Sequence, residues 1–329
     1  MSLKEEKLST SFTRALGRSG IKVSGLGMGC WAIGGPAWRD GKPIGWGDVD
    51  DAESVRAIHR ALDLGVTLFD TADIYGAGHS ERIVGQALAG RRHQVVIASK
   101  FGQRFDEDSR QAIGRDASPA YIRSACEASL RRLDTDHLDL YQFHIGDYDL
   151  ERAGEVRETL EDLVGSGKIR AYGWSTDDPI RARLFAEGPR CAAIQQRLNI
   201  FEGNAETLAI CETANLASLN RGPLAMGLLT GKFSADSTIP ENDVRFGWDF
   251  RAGTQAERLK KLDALREVLT QDGRTLAQAA LGWLWARSEV TVPIPGYKTV
   301  AQVEENAAAL RLGPLTQQQM TEIGRLMAD

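Results

Sequence analysis

Cysteine is scarce in this 329-residue chain: Cys30, Cys126, Cys191 and Cys211 are all it has, and no two stand in CxxC spacing. That excludes a disulfide framework and the usual zinc or redox motifs. The four thiols read as small buried hydrophobes of a reducing compartment. Long apolar runs are missing too. Nowhere do the roughly 18 uncharged apolar residues of a membrane span follow one another. The opening stretch, MSLKEEKLSTSFTRALG, has no apolar centre of a secretory leader, so the cytoplasm is the expected location. An excess of positive charge is also absent. Forty Lys and Arg stand against 45 Asp and Glu, a net charge of -5. Such a field offers no general attraction to nucleic acid or to an anionic membrane.

What is present is an alternation. The composition, 42% hydrophobic and 26% charged with 34 Gly, suits an ordinary globular protein. After an N-terminal hairpin around RALGRSGIKVSG, a first inner strand is expected near Leu26 to Cys30. DAESVRAIHRALDLG then reads as a helix with an Asp cap and a Gly stop. Seven further apolar runs follow: VTLFD, QVVIASK, LDLYQFH, IRAYGWS, CAAIQQ, LASLNR and VTVPIPG. Amphipathic stretches separate them, among them one opening at Ser80, and a last helix follows IPGYKT. Eight such units point to an α/β fold, a (β/α)8 TIM barrel occupying residues 1–329 as one domain. It would carry a long loop after strand seven, including TGKFSADSTIPENDVRFGWDFRAG, and a C-terminal helix. The competing doubly wound sheet wants GxGxxG between an early strand and a helix. GLGMGCWAIGG has the glycines without that spacing.

In a barrel, scattered residues become neighbours. Asp70 ends strand two, Lys100 strand three and His144 strand four, at the rim where barrel enzymes assemble their chemistry. Tyr75 lies in the loop after Asp70. Each has a plain structural explanation: a loop cap for Asp70, ring packing for Tyr75, a snorkelling stem for Lys100, a hydrogen-bonded imidazole for His144. Together they suit proton transfer to oxygen. A phenol ionises near pH 10, and an adjacent ammonium lowers that value. Asp70 can orient the ammonium, provided the lysine lies between carboxylate and phenol. His144 can hydrogen-bond a carbonyl from the opposite side. The site has no thiol nucleophile and no metal cluster, so another molecule must supply electrons.

With these residues and several later segments, the sequence resembles the aldo-keto reductase superfamily. FDTADIYGAGHSE matches its DTAxxYG signature, IASK its lysine strand and LDLYQFH its histidine strand. GWST, QQRLN, RGPLAMGLLTGK and IPGYKTVAQVEEN follow in the family's order. The resemblance implies a (β/α)8 barrel that binds NADPH or NADP+, with NADH also admitted, and exchanges a hydride with a small carbonyl or alcohol substrate. It implies Asp70, Tyr75, Lys100 and His144 as catalytic residues, Tyr75 being the proton donor in reduction. Trp31, Tyr75 and His144 would wall the substrate pocket. The family also holds NAD-linked sugar or cyclitol dehydrogenases and cofactor-binding accessory subunits of potassium channels.

The implied cofactor contacts run through the second half of the chain. Ser175, Thr176 and Gln195 fall at the carboxamide, with Gly29, Trp31 and Asp70 facing the same end. Gly222, Pro223, Leu224, Gly227 and Leu229 would wrap the pyrophosphate, and Lys232 would add positive charge. Gly296, Lys298 and Thr299 precede a helix N-terminus, a favourable place for an anion. There Lys298 matches the residue that meets the 2'-phosphate, with Gln302, Glu305 and Asn306 around ribose and adenine. Three positions depart from the pattern: Thr176 stands for Asn, Gln302 for a frequent Arg, and Arg221 for an aromatic ring. A planar guanidinium can lie against the nicotinamide or reach the pyrophosphate.

Overall fold

The computed structural model describes residues 12–328, so the residues up to 11, read above for a leader, lie outside the described residues. Eight parallel strands follow in chain order: β1 Gly27–Gly29, β2 Leu68–Asp70, β3 Val96–Phe101, β4 Leu138–Phe143, β5 Ile169–Ser175, β6 Cys191–Asn199, β7 Ala217–Arg221 and β8 Thr291–Pro293. Each pairs with the next. The ring closes where Gly29 bridges Gly296 and its N–H donates to the Pro295 carbonyl at 2.9 Å. This is a (β/α)8 barrel. A Cβ on Gly29 would lie 2.7 Å from the Ile294 carbonyl oxygen, so the seam requires glycine there.

Period-two alternation explains the two cores. Inward positions Leu68, Ala98, Leu140, Ala171, Ala193, Leu219 and Val292 fill the barrel together. An antiparallel hairpin, Thr13–Ala15 with Lys22–Ser24, closes the bottom with Leu16, Ile21 and Val23. Outward positions such as Phe69, Ile97, Tyr141, Phe143 and Trp174 pack beneath the helices.

The helices are α1 Asp51–Asp63, α2 His79–Leu88, α3 Pro119–Leu133, α4 Leu150–Gly165, α5 Pro179–Ala186, α6 Ala205–Thr213, α7 Gly253–Leu269, α8 Leu276–Arg287, α9 Val300–Leu312 and α10 Gln317–Ala328. Their starts are coded locally. Asp50, Ser118, Asp178, Asn204 and Thr299 accept backbone N–H bonds in the first turns. Thr275 and Gln278 form a reciprocal capping box. None of the described helices is long and apolar enough to cross a membrane.

Three features differ from the sequence reading. Helix α2 opens at His79 rather than Ser80, because Gly78 adopts a left-handed conformation and forms the boundary. The loop after β7 contains α7, which packs on α10 and α8 instead of the sheet and so adds no βα unit. A four-stranded roof was also unforeseen. Segments 38–39 and 42–43 from the first βα loop join 103–106 and 111–115 from the third. Two-residue strands carry too little alternation to be read.

Candidate active site

The alternation that fills the barrel also builds the site. Two residues beyond the apolar layer, the inward positions become Asp70, Lys100, Gln142, Gln195 and Arg221, and four beyond Ala171, past Gly173, comes Ser175. Register sets Asp70 beside Ala98, Lys100 beside Gln142 and Ser175 beside Gln195. A polar layer therefore caps the apolar one at the strands' C-terminal ends.

Asp70 and Lys100 are 2% and 0% exposed, and burying two charges is costly unless every hydrogen-bonding position is used. Here the ammonium has three acceptors for its three protons: Asp70 Oδ2 at 2.6 Å, the Thr71 carbonyl at 2.8 Å and Tyr75 Oη at 3.1 Å. Asp70 Oδ1 accepts from Gln142 Nε2 at 2.9 Å and Gln195 Nε2 at 2.8 Å. The lysine lies between carboxylate and phenol, as the chemistry demanded. Burial pulls the Lys100 pKa down, but Asp70 and Tyr75 outweigh it and hold the ammonium above its ordinary value.

Tyr75 sits on a tight turn, its N–H bonded to the Ala72 carbonyl and its carbonyl to the Ser80 N–H. Gly76 next to it has φ +60°, and a Cβ there would lie 1.9 Å from the Gly34 carbonyl oxygen. That close approach presses the turn onto the first βα loop, where Trp31 stacks on Tyr75 at 5.7 Å. The phenol corrects one expectation. Burial raises its pKa more than Lys100 lowers it, and Asp70 adds to the rise. In the free protein the hydroxyl therefore keeps its proton at neutral pH.

His144 follows β4, edge-on to Tyr75 at 5.9 Å. Burial, then Lys100, Arg221 and Arg39, push its pKa well below the ordinary value. Its Nδ1 is buried without a partner among the described residues. The imidazole is thus neutral, with one N–H to give. We expect its ring resonances not to titrate between about pH 5 and 8 in the folded protein. A histidine NMR titration with a midpoint near 6.5 would contradict this.

The other sequence candidates divide. Trp31 donates Nε1–H to the Ile44 carbonyl and also meets Trp46 edge-on. Ser175 has no hydroxyl partner among the described residues, whereas the Thr176 hydroxyl donates to the Gly146 carbonyl at 2.8 Å. Gln195 spends its amide N–H groups on Asp70 and Gln142. Arg221 is ion-paired with Asp177 and close enough to Tyr75 to feel its charge, which places it at the phenol. Thr299 caps α9, and the Gln302 side chain accepts the Lys298 backbone N–H at 2.7 Å. Asn306 is buried, Glu305 half-buried and Gln302 exposed.

A cluster of positive charge lies on the side of Trp46, which meets Trp31 beside the phenol. Gly222, Ala225, Met226 and Gly227 all have positive φ, a bent backbone of the kind whose N–H groups make anion-binding concavities. Beyond it lie Lys232, Arg245 and Lys298, with Asp243 the carboxylate bonded to Arg245. Partial desolvation of its ammonium and then Arg245 hold Lys232 below its ordinary pKa. Lys298 donates to the Trp46 and Asp48 carbonyls at 2.5 and 2.9 Å.

Sequence reasoning missed Gln142, Arg245 and Asp177. Gln142 was findable from the alternation after Leu140. Arg245 sits in an irregular loop, where no periodicity marks it; it is buried over the Trp46 ring at 4.6 Å and bonded to the Met226 carbonyl.

A barrel with a lysine-backed phenol on its rim and a cationic cluster beside it has the layout of an oxidoreductase. The chain belongs to the aldo/keto reductase family, whose model matches residues 25–328. Aldo-keto reductase YhdN of Bacillus subtilis is 34% identical over 292 residues, 87% of this chain and 85% of that protein. Among solved structures, the glycerol dehydrogenase AKR11B4 of Gluconobacter oxydans superimposes with a TM-score of 0.83 at 34% identity, covering 98% of this chain and 96% of that one. An aldo-keto reductase of Klebsiella pneumoniae in complex with NADPH superimposes with a TM-score of 0.71 at 28% identity, covering 96% and 95%.

Proposed function

We propose that this protein is an NADP(H)-dependent carbonyl reductase that converts aldehydes or ketones to alcohols, with Tyr75 as proton donor. The observation that carries the reading is the contact between Lys100 and Tyr75. An ammonium can only donate, so Tyr75 Oη is the acceptor and its own hydrogen is left to point elsewhere. Stacked against Trp31 and edge-on to His144, the hydroxyl can give that hydrogen to a carbonyl oxygen as negative charge grows there. His144, held neutral, offers a second N–H to the same oxygen. Lys100 supports the phenolate left behind, and Asp70 holds Lys100. The bound nicotinamide supplies the hydride.

The chain's residues fit such a cofactor. Gly222 has nothing within 4 Å of where a Cβ would stand, and Gly296 nothing nearer than 3.8 Å, so both leave room for a ligand against the backbone. Lys232, Arg245 and Lys298 suit its phosphates. Ser175 is the free hydroxyl for the carboxamide. The Klebsiella protein with NADPH supports this cofactor. The glycerol dehydrogenase relative favours a second reading, in which the same site runs as an alcohol dehydrogenase. The test is consumption of NADPH with a panel of aldehydes and ketones, set against reduction of NADP+ or NAD+ by polyols. Turnover confined to NAD+ and polyols overturns the first reading.

Cofactor choice turns on Lys298. A 2'-phosphate carries roughly -2 charge near pH 7, and Lys298 stands at the start of α9, where free amides favour an anion. With Gln302 neutral, NADPH is preferred and NADH still accepted. Lys298→Ala is expected to weaken NADPH binding by about 1–3 kcal/mol, the scale of a charged hydrogen bond, and NADH hardly at all. Dissociation constants for both reduced cofactors check it; equal weakening removes Lys298 from phosphate recognition.

A further inference from the structure

Among the described residues, one of the cations that act on His144 has no carboxylate within ion-pairing distance. Three cations act on the His144 ring: Lys100, Arg221 and Arg39. Lys100 is paired with Asp70 and Arg221 with Asp177. Arg39, half-buried at the edge of the roof, has no carboxylate within ion-pairing distance among the described residues. Its guanidinium donates to a neutral group, Gln103 Oε1, at 2.7 Å. Gln103 in turn donates through Nε2 to the His144 carbonyl at 3.0 Å. One buried side chain therefore separates the guanidinium from the residue that faces the reacting oxygen.

Arg39 also lines an open cleft of about 290 Å³ with Asp40, Ala112, Ile113, Gly114 and Arg115. Asp40 is exposed, and Arg115 is already paired with Asp147. A half-desolvated guanidinium held by a neutral amide still has unused donors in a fork that matches a carboxylate or phosphate. Its place sets the length of a matching substrate: the anionic group must sit a few bonds from the carbonyl, beyond the span of Gln103.

We propose that the substrate is an anionic carbonyl compound, whose carboxylate or phosphate is read by Arg39 while its carbonyl lies at Tyr75 and His144. This rests on the carbonyl-reductase reading and narrows it. Charge at the mouth selects the substrate.

The test measures kcat/KM with NADPH for 4-oxobutanoate and for its neutral methyl ester, and likewise for glyceraldehyde 3-phosphate and glyceraldehyde. Wild type should favour the anion of at least one pair by about ten- to a hundredfold, the scale of a charged hydrogen bond. The favoured pair tells carboxylate from phosphate. That preference should shrink as ionic strength rises. Arg39→Gln should reduce the anion-to-neutral ratio about tenfold or more, and Arg39→Lys should keep most of it. A disturbance passed through Gln103 to His144 would lower both members of a pair and cancel in the ratio. Turnover of both members of each pair without anion preference, or a ratio unmoved in R39Q, overturns the inference and leaves the carbonyl-reductase reading intact. Failure to turn over any of the four overturns the inference, while the aldehyde and ketone panel decides the carbonyl-reductase reading separately.

Discussion

Replacing Tyr75 by Phe is expected to lower aldehyde reduction by about 10²–10⁴-fold, the usual contribution of a positioned general acid. The ring still stacks on Trp31, so the turn and the pocket wall survive. What disappears is one oxygen: the proton donor to the substrate and one of the three acceptors of Lys100. NADPH binding should stay close to wild type, because the cationic cluster and the Gly222–Gly227 bend are untouched. Single-turnover hydride transfer and a fluorescence titration of NADPH, made on the same preparation, separate the two effects. A folded Y75F protein that reduces aldehydes at near wild-type rates would remove the phenol from the chemistry.

Lys100→Met is expected to be as severe for turnover and worse for the fold. Asp70 would keep its two glutamine donors but lose its only counter-ion while 2% exposed. Breaking a buried pair from one side costs roughly 3–5 kcal/mol, to be read as a fall in denaturant midpoint. The pH dependence has a definite sign. In the wild type, Lys100 opposes the burial that raises the phenol pKa. Removing that cation leaves Arg221 as the remaining charge against burial and Asp70, so the pKa climbs further. In alcohol oxidation Tyr75 must lose its proton to act as base, and the rising limb of the rate should move to higher pH. Residual activity of the folded K100M protein should show that displacement. A profile superimposable on wild type would mean that Lys100 does not tune the phenol.

How far the sequence reveals this site depends on which residues carry periodicity. Asp70, Lys100 and His144 each close an apolar run, so strand pattern alone brings them to one rim, and the structure places them there. Tyr75 lies in a turn and has no period; it stood out only by lying in the loop directly after Asp70, beside a lysine that could tune a phenol. Gln195 was legible as a strand-end residue, but its engagement with Asp70 was not, because a contact between β2 and β6 spans the barrel. Lys298 was placed correctly before α9, yet its bonds to the Trp46 and Asp48 carbonyls join segments 250 residues apart. The phenol pKa went the other way from expectation for a related reason. The charge beside Tyr75 is visible in sequence, while the depth at which the hydroxyl sits exists only after folding.

The four-stranded roof has a consequence for how such a protein can diversify. Its strands pair among themselves, 38–39 with 42–43 and with 111, and 103–106 with 111–115, and with none of the eight barrel strands. One bend, Gly102 at φ +118°, separates it from β3 and the lysine that strand carries. The strand pairing of the cage is therefore independent of the roof, and the roof reaches the proton-handling cluster through one side chain, Gln103, on the His144 carbonyl. On the proposal that Arg39 reads the substrate, recharging the roof would change which molecules are admitted while the register of the cage stays as it is. Substrate range would then be inherited largely apart from chemistry.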